Sequence, residues 1–211
     1  NPQVQKFVHV YHSFRKIPDF FFVPLYAFTD SKLPTYDLFI SDDNLQKLNA
    51  RLDQNPFSAK LDDDNKIWVG AEFRHGDYVE GVKVRYRGNL GGHWNSYKKS
   101  YLIKFPKENL FNGMREISLI IPSDRKYFST SLNNYRAKKM GLTVPDERYI
   151  NLTVNGADMG VLMELEHWSQ EWVEKLPISP LSKLYGTNDE LVGAVDRSET
   201  KSIYLTQNKE R

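Results

Sequence analysis

GVKVRYRGNLGGHWNSYKKSYLIKF, residues 81–105, is the stretch on which the reading of this chain turns. Its first arm alternates strictly: Val82, Val84 and Tyr86 fall on one face of a strand, and Lys83, Arg85 and Arg87 on the other. A loop rich in Gly, Asn and Ser follows, and the return arm sets Lys98, Lys99 and Lys104 around Tyr101, Ile103 and Phe105. Glycines let successive backbone N–H groups turn toward one anion, and flanking cations neutralise its charge. The pattern therefore predicts a polyphosphate site on Arg85, Arg87, Lys98 and Lys99. It equally suits a solvated hairpin whose polar face is basic, and the residues alone leave both open.

Outward from this hairpin, alternation and turn chemistry predict the other elements. Residues 36–40 read as a short strand, and Ser41 caps a helix over 42–53 with Leu45, Leu48 and Leu52 on one face. Residues 68–73 and 78–87 read as strands about the turn at His75-Gly76-Asp77. Residues 116–121 (EISLII) read as a buried strand, and a helix is predicted from Ser123-Asp124 to Met140 with Gly141 as its C-cap. Asn155-Gly156 is the favoured two-residue turn of a hairpin between 150–154 and 160–165. Glu164 and Glu166 share one side of its second strand, and a helix follows from His167 to Leu176, ended by Pro177. Residues 183–185 suggest one more short strand.

Composition bounds the function. The 211 residues carry a net charge of +2, so any electrostatic role belongs to local clusters and nucleic-acid binding is not expected. The absence of cysteine removes disulfides, thiol nucleophiles and cysteine zinc sites together. His9 and His12 lack a second ligand pair, and Asp62, Asp63 and Asp64 lack the spacing of a calcium loop, so no metal site is predicted. Phe20, Phe21 and Phe22 lie in an apolar run too short and too proline-broken to span a bilayer. The nucleophile elbow, the HExxH zinc motif and the P-loop are all absent. The fold class predicted is α+β, a mostly antiparallel sheet with inserted helices, in the order used by protein kinases.

Four pieces of sequence point further. VKVRYRGN, KKSYLIKF, LNNYRAKKMGL and YINLTVNGADMGVLMELEHWSQEWVEK, in that order, resemble the CotH kinase family of atypical kinases named for a spore coat protein. The likeness rests on Arg87-Gly88-Asn89, Lys99-Ser100-Tyr101, Asn155-Gly156, Gly160-Val161 and Glu166, and it covers about residues 36–186. The resemblance implies a kinase-like fold that binds ATP with Mg²⁺ or Mn²⁺ and phosphorylates serine on secreted or surface proteins. It implies that Arg87 and Lys99 contact phosphate, with Tyr101 supporting the site. Glu166 would position the nucleotide or a lysine, with Lys183 as its partner. The domains expected are an extended aromatic segment over 1–35, the nucleotide-binding region over 36–186, and a polar tail over 187–211. The family's metal-binding acids fall beyond such a region, so the chain is expected to be an N-terminal portion that is inactive alone. The competing expectation is a catalytically silent coat or surface module. It would hold an acidic protein or glycan with the basic hairpin and exposed Trp94 and Tyr97. A bacterial protein, secreted, at the cell surface or in the spore coat, is implied; the cytoplasm is left open.

Overall fold

The structure, a computed structural model, describes residues 32–52, 61, 63–89, 91–94, 97–167 and 169–176. The leading aromatic segment, almost all of it, and the strand expected at 183–185 lie outside these residues. Seven strands form a closed barrel: β1 (Thr35–Phe39), β2 (Val69–His75), β3 (Tyr78–Tyr86), β4 (Tyr101–Lys104), β5 (Glu116–Ile120), β6 (Glu147–Val154) and β7 (Ala157–Glu166). Around the barrel the order is β1-β2-β3-β4-β5-β7-β6. Every pairing is antiparallel except β1 with β6, which run parallel, Thr35 opposite Asn151 and Leu38 opposite Val154.

This overturns the expected α+β, kinase-like sheet with inserted helices. Among the described residues only three short α-helices occur: α1 (Asp42–Ala50), α2 (Ser129–Lys139) and α3 (Gln170–Glu174). The strands were legible because each carries its own alternation. Closure was not, because β1 meets β6 across more than a hundred residues of chain, and no local period encodes that pairing. A bulge helps to close the ring. Leu152 faces Gly160 and Thr153 faces Asp158, so Met159 is the extra residue, and Gly160 takes φ +66°. Such an insertion bends and twists its strand, which a flat hairpin needs before it can curl into a barrel.

The interior is filled from all seven strands. Leu38, Phe73, Val84, Ile103, Ile117, Leu119, Ile150, Leu152 and Leu162 are fully buried. Phe73 is the centre of an aromatic group, edge-on to Tyr36 at 5.0 Å, Phe105 at 5.1 Å and Phe111 at 4.9 Å. Each such pair adds roughly 0.5–1.5 kcal/mol beyond area burial. A barrel packed in this way leaves its interior to side chains, and any ligand must bind outside it or at its rim.

Helix α1 forms as its sequence predicts. Ser41 Oγ accepts from the Asn44 amide, Asp42 and Asp43 occupy the first turn, and Leu48 is buried against the barrel. The long helix expected from Ser123 is broken. Pro122–Arg125 makes a 3₁₀ turn, Lys126 and Tyr127 take positive φ, and α2 starts only at Ser129. Two consecutive left-handed residues cannot continue a right-handed helix. The last helix is likewise shorter than predicted: Ser169 caps α3 by accepting from the Trp172 amide.

Candidate functional site

Alternation along β3 sends Val82, Val84 and Tyr86 inward, and therefore Lys83, Arg85 and Arg87 outward. Register then assembles the outer face. Lys83 lies opposite Lys104, Arg85 opposite Leu102, Leu102 opposite Ser118, and Ser118 opposite Leu165. Arg87 Nε donates to Ser118 Oγ at 3.0 Å. The Arg85 guanidinium lies 5.1 Å from the centroid of the Trp68 ring, a cation–π contact. Lys104 Nζ meets Glu116 Oε1 at 2.9 Å, and the His167 amide donates to the Glu116 carbonyl at 3.1 Å. Burial holds the His167 imidazole below its ordinary pKa. Arg87, Arg85 and Lys104 push it the same way and Glu116 opposes them. Arg85, Arg87 and Lys104 thus lie around His167 on the outside of the barrel, with Lys104 already paired with Glu116.

The glycine loop after β3 is occupied by its own side chains. Gly88 takes φ +95°, and a Cβ there would lie 2.1 Å from the His93 ring. That imidazole is buried. Its Nδ1 is 3.3 Å from Ser100 Oγ and its Nε2 is 3.2 Å from Asp124 Oδ1. Ser100 Oγ also accepts from the Ile121 amide at 3.1 Å, so the loop is stitched to the segment after β5. The space above Gly88 that a phosphate would need is filled by histidine.

The other expected phosphate ligands go elsewhere. Lys98 Nζ donates to the Val161 carbonyl at 2.7 Å, tying the loop to β7. Lys99 Nζ donates to the Trp94 carbonyl at 2.7 Å and lies 5.7 Å from the Tyr86 ring centroid; burial lowers its pKa. Tyr101 is a core residue, its phenol pushed well above the ordinary range by burial. Trp94, expected to be an exposed contact, is 1% exposed, while Tyr97 is 64% exposed. Trp94 follows a 3₁₀ turn at Gly91–His93 that folds the loop inward. Of the seven predicted residues, the structure keeps Arg85 and Arg87 together on the outer face, and Lys183 lies outside the described residues.

Glu166 sits at the barrel rim, 2% exposed, with Lys175 Nζ 2.7 Å from its Oε1. The ammonium that meets it comes from the residue after α3. Its Oε2 is buried with no hydrogen-bond partner among the described residues. Deeper at the same rim is a group that the sequence reading missed. Arg148 Nε donates to Glu164 Oε1 at 2.9 Å and its Nη2 to the Tyr36 hydroxyl at 2.5 Å, while Tyr36 donates to Glu164 Oε2. Burial, then the Glu164 charge, drives the Tyr36 pKa far up, so the phenol keeps its proton as donor. The available signal was parity. Arg148 shares the inward side of β6 with Ile150 and Leu152, and Glu164 shares that of β7 with Leu162. Two opposite charges at inward positions of paired strands mark a buried pair. Its chemistry is structural, since every oxygen of Glu164 is already engaged.

The family model described as CotH kinase protein matches residues 84–211. The match begins inside β3, so β1, α1 and β2 precede it. Inner spore coat protein H of Bacillus subtilis (strain 168) is 25% identical over 186 residues, which is 85% of this chain and 47% of that protein. The chain therefore spans about half the length of the curated relative it matches.

Proposed function

The chain belongs to the CotH kinase protein family, and from that premise we propose that it is the phosphate-binding part of a protein kinase. The reaction proposed is transfer of the γ-phosphoryl group of ATP to serine hydroxyls of a coat or surface protein. Kinship with an inner spore coat protein supports placing that substrate in the coat. The observation that carries the proposal is the pair Arg85 and Arg87 on the outer face of a barrel whose interior is full, with Arg87 Nε held by Ser118 Oγ at 3.0 Å. Phosphoryl transfer relies on positioning and on neutralising the anionic oxygens, and guanidinium groups do both through paired N–H donors. In this proposal Arg85 and Arg87 take the phosphates. Ser118 fixes the Arg87 head group, and Lys98 and Lys99 hold the loop in place behind them.

Divalent metal fits these residues poorly. Among the described residues, no three His, Asp or Glu side chains come together as a ligand set. No step is therefore assigned to Mg²⁺ or Mn²⁺ here. No helix among the described residues is long and apolar enough to cross a membrane.

Calorimetric titration of ATP and of inorganic triphosphate into the chain tests the proposal. Arg87→Ala should weaken both by about tenfold or more, the loss of one charge-assisted contact. Lys107→Ala, at an exposed loop position, should change neither. Unaltered affinity in Arg85→Ala and Arg87→Ala would remove the phosphate role from this face.

A further inference from the structure

Helix α2 is mounted inside out. Thr130, Asn134 and Ala137 recur at i, i+4 and i+7 and are its partly buried side, with Asn134 Nδ2 donating to Glu147 Oε2 at 2.8 Å. Turning by 100° per residue, the opposite side carries Leu132 and Tyr135, in line with Phe128 just before the helix, whose ring lies edge-on to Tyr149 at 6.0 Å. Phe128, Leu132 and Tyr135 are 72%, 49% and 60% exposed, and no residue of the helix is fully buried. A surface helix ordinarily turns such a stripe toward its own core.

The charge on the helix itself is one-sided. Residues 129–139 hold three Lys and Arg and no Asp or Glu, in a chain whose net charge is only +2, and Asp124, Asp146 and Glu147 lie just beyond its two ends. Arg136 and Lys138 fall on either flank of the stripe, and Lys139 lies along it with Nζ 5.5 Å from the Tyr135 ring centroid. Among the described residues, Asp146 is the one carboxylate paired with Arg136, Lys138 or Lys139, 3.9 Å from Lys138 and itself 76% exposed, and Arg125 meets Asp124 at 3.4 Å.

We propose that α2 is a docking helix for an acidic amphipathic helix of a partner protein. The partner would lay its apolar stripe on Phe128, Leu132 and Tyr135 and set Glu or Asp against Arg136, Lys138 and Lys139. Anchors at i, i+4 and i+7 with charges on both flanks are the geometry of a helix–helix seam. A second copy of this chain would oppose cation to cation across the seam and is disfavoured by charge. A bilayer wants a broad apolar face, and this stripe is one side chain wide between Ser129 and Arg136 on one flank and Ser131 and Lys138 on the other.

The test uses the full chain and a dye-labelled helical peptide with leucines at i, i+3, i+4 and i+7 and glutamates on both flanks, read by fluorescence anisotropy. The peptide should bind, and a scramble of the same composition should bind at least about tenfold more weakly. Leu132→Ser and Lys139→Glu should each weaken binding by about tenfold. Both positions are exposed, so the melting temperature should not move. Equal binding of peptide and scramble, or binding indifferent to both substitutions, overturns the proposal. So does flotation of the chain with phosphatidylglycerol vesicles that Leu132→Ser abolishes while the peptide fails to bind. A dimer in sedimentation that the same substitution dissolves would assign the face to self-association instead.

Discussion

Replacing Gly88 by alanine asks whether the loop after β3 is shaped around its own histidine or kept open for a ligand. An added Cβ would lie 2.1 Å from Cδ2 and 2.2 Å from Cγ of His93, closer than any real side-chain contact, at a backbone φ of +95°. Two costs follow. The left-handed backbone costs an L-residue about 1–2 kcal/mol. Forcing the imidazole out of a filled site costs about 1–3 kcal/mol and loosens its contacts with Ser100 and Asp124. Together they come to about 2–5 kcal/mol, and each kcal/mol lowers Tm by roughly 2–4 °C in a chain of this size. The expected fall is therefore about 4–20 °C. Thermal melts followed by circular dichroism on Gly88→Ala, His93→Ala and the double variant separate the two costs. In the His93→Ala background the clash is gone, and Gly88→Ala should cost only the backbone share of about 1–2 kcal/mol. A single Gly88→Ala variant that melts within about 2 °C of the parent while losing ATP affinity would refute the reasoning. The glycine would then be there for a ligand.

Arg148→Met should be the most damaging change at the rim, because it leaves the Glu164 carboxylate, 4% exposed, without its guanidinium. Arg148 itself is 38% exposed, so the low end of the usual 3–5 kcal/mol, about 3, is expected. Urea unfolding measures it, and Arg148→Met with Glu164→Leu should recover most of the loss; no recovery would mean that the pair is not the cause. Acidification should destabilise the fold through His93. Burial first, with Arg87 and Arg125, holds its pKa below 6.5 against the pull of Asp124. The unfolded chain then takes the proton first, so this contribution is whole above about pH 6.5 and is lost as pH falls through the folded value. Urea midpoints about one unit either side should differ less in His93→Gln than in the parent. An identical difference in both would exclude His93. Gly156→Val should destabilise by at least about 1–2 kcal/mol, since Asn155 and Gly156 both take positive φ in the turn. A melting curve that does not shift would contradict that role.

Short-range chemistry made much of this protein legible in advance. The period of two in VKVRYR, the Asn-Gly turn and the Ser41 cap each act over a few residues, and each placed its element within a residue or three. The outward side of Arg85 and Arg87 follows from the same parity. The family resemblance, carried by short runs of residues in order, was legible for the same reason. Tertiary structure alone decided the rest. The barrel closes through β1 against β6, a parallel pairing that no nearby residue announces. Lys98 and Lys99 look identical to phosphate ligands in a string of letters, and only the folded loop turns their ammonium groups onto the Val161 and Trp94 carbonyls. Phe128, Leu132 and Tyr135 have the spacing of a buried stripe, yet Lys126 and Tyr127 in the left-handed region reset the start of the helix, and its partly buried side carries Thr130, Asn134 and Ala137 instead. Spacing along a helix states which side chains share a side. Which side meets the core is set by how the chain enters the helix and by what is already packed beneath it.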